Sequence, residues 1–543
     1  MAGADLTADG QGMRTLGFFG EPRDTKQKFF SDIVHQGCFL NDQRLTQIYA
    51  DDAPDRLGEL MDWGIKANFT DERAIFTAGT GIMDALHRQS RKVGVERVED
   101  VAMIDLLVQD GRVVGALGLD VYTGEFITFL SKAVVLATGG WHKAYTPVSG
   151  SRELTGDGIA MAYRVGAELA NMEFVTYCCN VSLWPPIWAG SIFPYVLSLV
   201  VGGSLVNSLG EPFLEKYDPH VVDVALHTEW NKSFISFATE VEVRAGKGSP
   251  RGGVYYVTGD MPWETFDAHV QRQYPGWQYK AVDFSEMRRI MQGGGGAEVG
   301  AVAEYFPGGI AVDEHYATNV PGLYAAGECA VSLFGANRVM AATTEMLVTG
   351  AVAGWAAGEH AASTREPVAN SDQVRALVEK TSLPLARGKG VRPVQVRKRL
   401  QVAASDKVGP IRTGDELNEF LAFTGRLKDE ELPALYTSSQ SKRYNKEWFE
   451  ALELENMIQV LELSAVASLT RTESRGVHYR EDHPDTDNDR WIKEIVIKRA
   501  NGEPQVTTRP LATTTLSPPR GVLPYEAMIK RMIDARSDIK GHH

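Results

Sequence analysis

The sequence predicts an α/β fold: a core of parallel strands split by an inserted domain, followed by a helical region and a small closing domain. Three observations predict it. Two short apolar stretches, 132–140 and 322–328, end on glycine-bearing turns (Ala137-Thr138-Gly139-Gly140 and Ala326-Gly327-Glu328), the pattern of buried parallel strands whose carboxyl ends meet a ligand. Between them, residues 181–305 are rich in Trp, Pro and Gly and read as an insert. Beyond Gly358 apolar residues recur at helical spacing to about Ala467, and a polar tail with strand-like pieces at 495–497 and 506–508 closes the chain.

In chain order, residues 41–63 place Leu45, Ile48, Tyr49, Leu57, Leu60 and Met61 at helical spacing and stop at Gly64, an amphipathic helix with a glycine end. Two apolar runs, 105–108 and 113–116, flank Asp110-Gly111, a pair suited to the positive φ angles of a tight hairpin. A third strand at 125–130 carries this meander into the first glycine-ended strand. Residues 161–170 read as helix, and Gly293 to Gly296 as a short flexible joint. No internal repeat is visible.

At 543 residues and 59.6 kDa the chain exceeds a single hydrophobic core, so about two to four domains are expected. A net charge of -14 argues against a broad nucleic-acid surface and favours solubility or a basic partner. The cysteines Cys38, Cys178, Cys179 and Cys329 are too scattered for a disulfide framework and lack zinc spacing, which predicts a reducing, cytoplasmic setting and no metal site. His542-His543 reads as a tail. The first ten residues lack the basic and apolar segments of a secretory leader. The most apolar stretch, 187–206, is broken by Pro194 and Gly202-Gly203 and reads as buried strands rather than a membrane span.

Glycines closing a strand let a flat or phosphorylated group approach the backbone, although strands also end on glycine for packing alone. An acid in the place of Glu328 can accept hydrogen bonds from sugar hydroxyls. Around these strands stand Thr155-Gly156-Asp157-Gly158, Asn171-Met172-Glu173-Phe174, Val320-Pro321-Gly322-Leu323-Tyr324, Gly335-Ala336-Asn337-Arg338, Leu452-Glu453-Leu454-Glu455-Asn456-Met457 and Glu473-Ser474-Arg475-Gly476-Val477-His478. In that order, over most of the chain, they resemble the flavoprotein subunits of the succinate dehydrogenase/fumarate reductase family.

The resemblance implies a Rossmann-like FAD-binding domain, incomplete at its N-terminus (1–180 and 306–362), an inserted α+β capping domain (181–305), a helical domain (363–470) and a small C-terminal domain (471–543). It implies FAD lined by Ala2, Gly3, Thr138, Gly139, Gly140, Asp157, Gly327, Glu328, Ala336, Asn337 and Thr343. The implied reaction is interconversion of saturated and unsaturated carboxylates by hydride exchange with flavin N5. Electrons would pass through an iron–sulfur partner subunit, and any membrane association would run through such partners. Family members open with a strand, a glycine-rich turn and a helix that holds the FAD pyrophosphate. No such fingerprint stands here; Met1-Ala2-Gly3-Ala4-Asp5 resembles the part that follows it. A recorded start that is too late, a second chain supplying the unit, and loss of FAD are the explanations, the first two favoured by the intact flavin-side motifs.

In the implied active site Arg338 matches the family's carboxylate-clamping arginine, and Lys232 stands nearest the proton-delivering one. Two family histidines become Glu304 and Cys178. A glutamate beside a substrate carboxylate would repel it, so the expected substrate is a carboxylate or acyl compound other than plain succinate or fumarate. Glu304 reads either as a buried general base with a raised pKa or as an ion-pair partner of Arg338 or Lys232. Cys178, beside Cys179, reads as a redox thiol or a buried structural one. Arg475, His478 and Arg480 read first as solvated turn charges. Two rivals stay open: a flavoprotein for a bulkier enoyl acid or ester, and a flavin-free structural subunit of a redox complex.

Overall fold

The computed structural model describes residues 3–538 apart from 193, 196–197, 199–201, 260, 266, 269–288, 291–294, 339 and 537. Ala2, Gly293, Gly294 and the His542-His543 tail lie outside the described residues, as does part of 187–206.

The two glycine-ended strands pair as expected. Val134–Leu136 and Leu323–Ala325 run parallel, with Val134 opposite Leu323 and Leu136 opposite Ala325. Each is three residues long, shorter than its apolar run, because Gly139 (φ 71°) and Gly327 (φ 66°) turn the chain out of the ladder. The meander Val101–Gln109, Arg112–Asp120 and Phe126–Leu130 is antiparallel, and its Asp110-Gly111 turn has φ of 50° and 73°, as the sequence required. It is tied to the parallel pair where the Val113 amide donates to the Pro321 carbonyl at 3.0 Å.

The chain start forms a three-stranded sheet in which Gly3–Thr7 and Asn68–Asp71 flank Ala74–Ala78. The helix expected over 41–63 spans Gln43–Asp62 and buries Leu45, Tyr49, Leu57 and Leu60. The helix expected over 161–170 stops early. It spans Asp157–Arg164, Gly166 (φ 90°) reverses the chain, and Leu169–Ala170 enters a sheet with Gly309–Ile310 and the hairpin Lys493–Ala500/Glu503–Pro510.

A four-stranded antiparallel sheet carries the chemistry, in the order Ser204–Val206, Val254–Val257, Ala297–Tyr305, Thr176–Ser182. Its last two strands pair irregularly at two places. Cys179 and Asn180 together face Ala301, and Glu304 is an extra residue between the pairs Ala303–Tyr177 and Tyr305–Thr176. Bulges of this kind re-aim a side chain out of strict alternation. The expectation of buried strands over 187–206 is met only at Ser204–Val206 among the described residues. Ile187 is 83% exposed, since Pro185 and Pro186 beside it cannot extend a ladder.

Helices Ser371–Ala386, Pro393–Lys407, Gly414–Arg426 and Lys446–Thr470 form the region past Gly358. No helix among the described residues is long and apolar enough to cross a membrane. One expectation is overturned here: Arg475, His478 and Arg480 are not solvated but buried. Arg475 bridges Glu473, Arg471 binds Glu173 and Glu473, and Arg480 binds Asp482. Each arginine has a counter-ion, which is what makes its burial tolerable.

Candidate active site

Three of the residues singled out in the sequence meet at one point. The bulge in Ala297–Tyr305 turns the Glu304 carboxylate toward two cations. Its Oε2 lies 3.2 Å from Lys232 Nζ and 3.2 Å from an Arg338 guanidinium nitrogen. Lys232 ends a single helical turn, Glu229–Lys232, started by Thr228, and its side chain is 2% exposed. Arg338 follows the Gly335 turn (φ 66°), and a second guanidinium nitrogen donates to the Met340 carbonyl at 3.0 Å, which fixes its plane. Aromatic faces complete the pocket: Lys232 Nζ sits 5.5 Å from the Tyr195 ring centre and the Arg338 guanidinium 5.1 Å from that of Tyr305.

This geometry decides between the two readings of Glu304 in favour of the ion pair. Glu304 is not a base with a raised pKa. Burial raises its carboxyl, but the Lys232 and Arg338 charges more than offset that and hold it at about 2. At neutral pH it is a fixed anion shared by two cations. Cys178 is buried opposite Val302, two positions from Glu304 along the partner strand, and its thiol donates to the Cys179 carbonyl.

Behind Arg338 lies a group that the sequence reading missed. Glu345, in the first turn of Ala342–Ser363, is buried and accepts hydrogen bonds from the Tyr305 hydroxyl and from Ser332 Oγ. Burial raises its carboxyl to about 7. No motif marks it; only the fold brings Tyr305 and Ser332 to it.

The expected flavin-side residues assemble at the carboxyl ends of the parallel pair. Glu328 accepts from the Gly140 amide at 3.1 Å and the Phe306 amide at 3.3 Å, and lies 3.5 Å from His142 Nε2. A Cβ on Gly140 would meet Phe306 at 2.5 Å, so that glycine is required by packing. Glu328 therefore braces the backbone from inside rather than presenting its carboxylate outward. Thr138 packs against Gly158, where a Cβ would come within 2.1 Å of Thr138 Oγ1. Asp157 is held by Thr155 Oγ1 at 2.7 Å and Asn456 Nδ2 at 2.6 Å. The Gly327 amide donates to Thr349 Oγ1, the Ala336 amide to the Gly37 carbonyl, and Thr343 lies in the first turn of Ala342–Ser363. Gly3 pairs with Ala78 in the strand whose Thr7 reaches Thr344.

Comparison with known proteins fits these features. Residues 70–343 match the family described as FAD binding domain, and residues 397–523 the family described as fumarate reductase flavoprotein C-term. One chain of the fumarate reductase (CoM/CoB) of Methanothermobacter marburgensis is 30% identical over 512 residues, 90% of this chain and 89% of that one. The chain belongs to the fumarate reductase/succinate dehydrogenase flavoprotein family. The fumarate reductase flavoprotein subunit of Mycobacterium tuberculosis is 29% identical over 537 residues, 91% of this chain and 89% of that one. A solved structure of Mycobacterium smegmatis Sdh1 in complex with UQ1 superposes with a TM-score of 0.80 at 30% identity, covering 95% of this chain and 88% of that chain.

This flavoprotein is thus an FAD-dependent oxidoreductase acting on CH–CH groups of succinate/fumarate-type substrates, and the flavin-free rival falls away. Its residues fit the cofactor. Asn337 is fully buried, yet neither its amide nitrogen nor its amide oxygen has a hydrogen-bond partner. A buried amide with both functions unmet suits the edge of a heterocycle that carries its own donors and acceptors.

Proposed function

We propose that this flavoprotein interconverts an α,β-unsaturated monocarboxylate and its saturated counterpart, and that plain succinate or fumarate is a poor substrate. The observation that carries this reading is Glu304 bridging Lys232 and Arg338. Glu304 is a fixed anion beside Arg338, the residue that would clamp a substrate carboxylate. A second carboxylate would meet the Glu304 anion at close range, in surroundings of low dielectric.

Asn337 and the glycines around Gly139 would hold FAD, which would supply the hydride exchange. Arg338 orients the substrate carboxylate, its planar fork already fixed by the Met340 carbonyl. In the reducing direction Lys232 Nζ would deliver the proton to the carbon next to the carboxylate. Glu304 keeps both cations in place and, fixed as an anion, takes no part in proton transfer. Cys178 is assigned a packing role, consistent with its burial inside the strand pair. Residues 181–305 cover the site as its cap. Electrons are proposed to come from an iron–sulfur partner subunit, as membership of this family suggests. The chain would act in the cytoplasm, with any membrane contact made by partners.

Arg338→Ala and Lys232→Met test this reading in the FAD-loaded protein. Each is expected to lower crotonate-dependent reoxidation of the reduced flavin by roughly a hundredfold or more while FAD stays bound. Unchanged rates in Lys232→Met would remove it as the proton donor.

A further inference from the structure

Glu345 is a buried acid that the reaction as described does not use. It is 2% exposed, and its two oxygens are met by hydroxyls rather than by a cation: Oε2 by the Tyr305 hydroxyl and Oε1 by Ser332 Oγ at 2.7 Å. Burying a carboxyl on hydroxyl partners alone costs free energy that an apolar side chain in the same place would avoid. What the carboxyl holds is Tyr305.

The group is fixed from both ends. Ser332 is tied to the backbone by its own amide, which donates to the Pro307 carbonyl, and by the Phe334 amide, which donates to Ser332 Oγ at 3.2 Å. On the helix side, Thr344 Oγ1 accepts from the Thr7 amide at 2.9 Å and the Ala341 amide donates to Thr7 Oγ1 at 3.3 Å. Held by its hydroxyl, the Tyr305 ring lies under Arg338, whose guanidinium is 5.1 Å from the ring centre. Glu304 and Tyr305, consecutive in one strand, thus both hold Arg338, the first by charge and the second by its face. The titratable groups that face Glu345 are Tyr305, Arg338, Glu328, Tyr49 and Tyr316. Burial pushes its carboxyl up to about 7 and Glu328 adds to the rise, against the pull of Tyr305, Ser332 and Arg338.

We propose that Glu345 is a positioning residue for substrate binding: through the Tyr305 hydroxyl it holds the aromatic face on which Arg338 rests, and its ionisation opposes a carboxylate at Arg338. The inference rests on the reading of Arg338 as the clamp and adds the group that adjusts it. Protonated, Glu345 holds Tyr305 without adding charge. Ionised, it places a second anion behind Arg338, in addition to Glu304, and repels the incoming carboxylate. Binding of a carboxylate therefore weakens as pH rises through about 7, and by linkage a bound carboxylate raises the pH at which Glu345 ionises.

The test is titration of the FAD-loaded protein with butyrate from about pH 6 to about pH 8.5, a range that keeps the ligand ionised, with KM and kcat for crotonate measured alongside. In the native protein the butyrate dissociation constant should rise about threefold or more across that range, with a midpoint near 7. In turnover the effect should fall on KM more than on kcat. Glu345→Gln keeps both hydroxyl partners and removes the charge, so it should bind butyrate at high pH as tightly as the native protein does at low pH. Tyr305→Phe removes a hydrogen bond that favours ionised Glu345, so its midpoint should move to higher pH. A Glu345 that only supports the fold would move neither curve. A native curve without pH dependence, or one that Glu345→Gln leaves unchanged, would overturn the proposal. Arg338→Ala separates it from the reading beneath it. Butyrate binding lost in Arg338→Ala but indifferent to Glu345→Gln keeps the clamp and removes the role of Glu345, whereas undiminished binding in Arg338→Ala overturns the clamp and the proposal with it. If succinate binds where butyrate does not, the monocarboxylate reading falls, and the same curves taken with succinate decide for or against Glu345.

Discussion

The C-terminal charge network and the Glu304 cluster are both built from buried acids and bases, yet they balance differently. In the first, Glu173 and Glu473 face Arg471 and Arg475, two against two, with every side chain at most 1% exposed. Further hydrogen bonds run from Arg471 to the Trp491 and Lys493 carbonyls and from Arg475 to the Cys38 carbonyl. That network sews residues 471–493 onto the rest of the fold. In the second, one acid faces two cations, and the acid is 18% exposed. The first cluster is sealed from solvent, whereas the second reaches it through Glu304. The same residue types thus fasten the fold in one place and, in the proposed reading, face a ligand in the other.

The comparison can be broken most severely from the structural side. Arg471→Ala leaves Glu173 without its partner in a fully buried position and should cost about 3–5 kcal/mol, read as a lowered midpoint in chemical denaturation. A smaller loss would mean the network is not the fastener described. Glu304→Gln should cost less, about 1–3 kcal/mol, because its site reaches solvent. Its depressed pKa sets the pH window. The stabilisation from ionised Glu304 is fully present above about pH 4.5 and is lost as pH falls toward about 2. The pH–rate profile of Glu304→Gln between about pH 5 and 8 should therefore keep the native shape. A limb that disappears would restore Glu304 as a base.

Glu345 titrates with the opposite sign. Its raised pKa makes the folded state hold the proton, so its contribution is present below about pH 4.5 and lost as pH rises through about 7. Glu345→Gln should flatten that fall in thermal-melt measurements taken across the window; an unchanged slope would assign the pH dependence elsewhere.

Much of this was legible in the sequence, for identifiable reasons. Glycine-ended strands, the Asp110-Gly111 hairpin and the helical spacing of 41–63 are local signals, and each formed where expected. Arg338, Lys232 and Glu304 were found as separate residues, but their mutual contact depends on a bulge, which pairs strands distant in sequence. The sequence left Glu304 open between a buried base and an ion-pair partner of Arg338 or Lys232, and only the fold, which brings both cations to it, decides for the second. Arg475 and His478 looked like solvated turn charges because the groups packed around them, the Cys38 carbonyl and Arg412 among these, come from other elements. Burial pushes His478 well below its ordinary range, and the surrounding arginines add to it. Glu345 carried no signal, since it sits in no motif and matters only through what packs around it.

The central claim is that the fixed Glu304 anion between Lys232 and Arg338 makes the site select a single carboxylate. The direct measurement is kcat/KM for crotonate and for fumarate with the native protein and with Glu304→Gln. The native protein should favour crotonate by about tenfold or more, the effect of a like charge at contact range, and Glu304→Gln should reverse that preference. Fumarate turned over as well as crotonate by the native protein, or a preference that Glu304→Gln leaves unchanged, would contradict it.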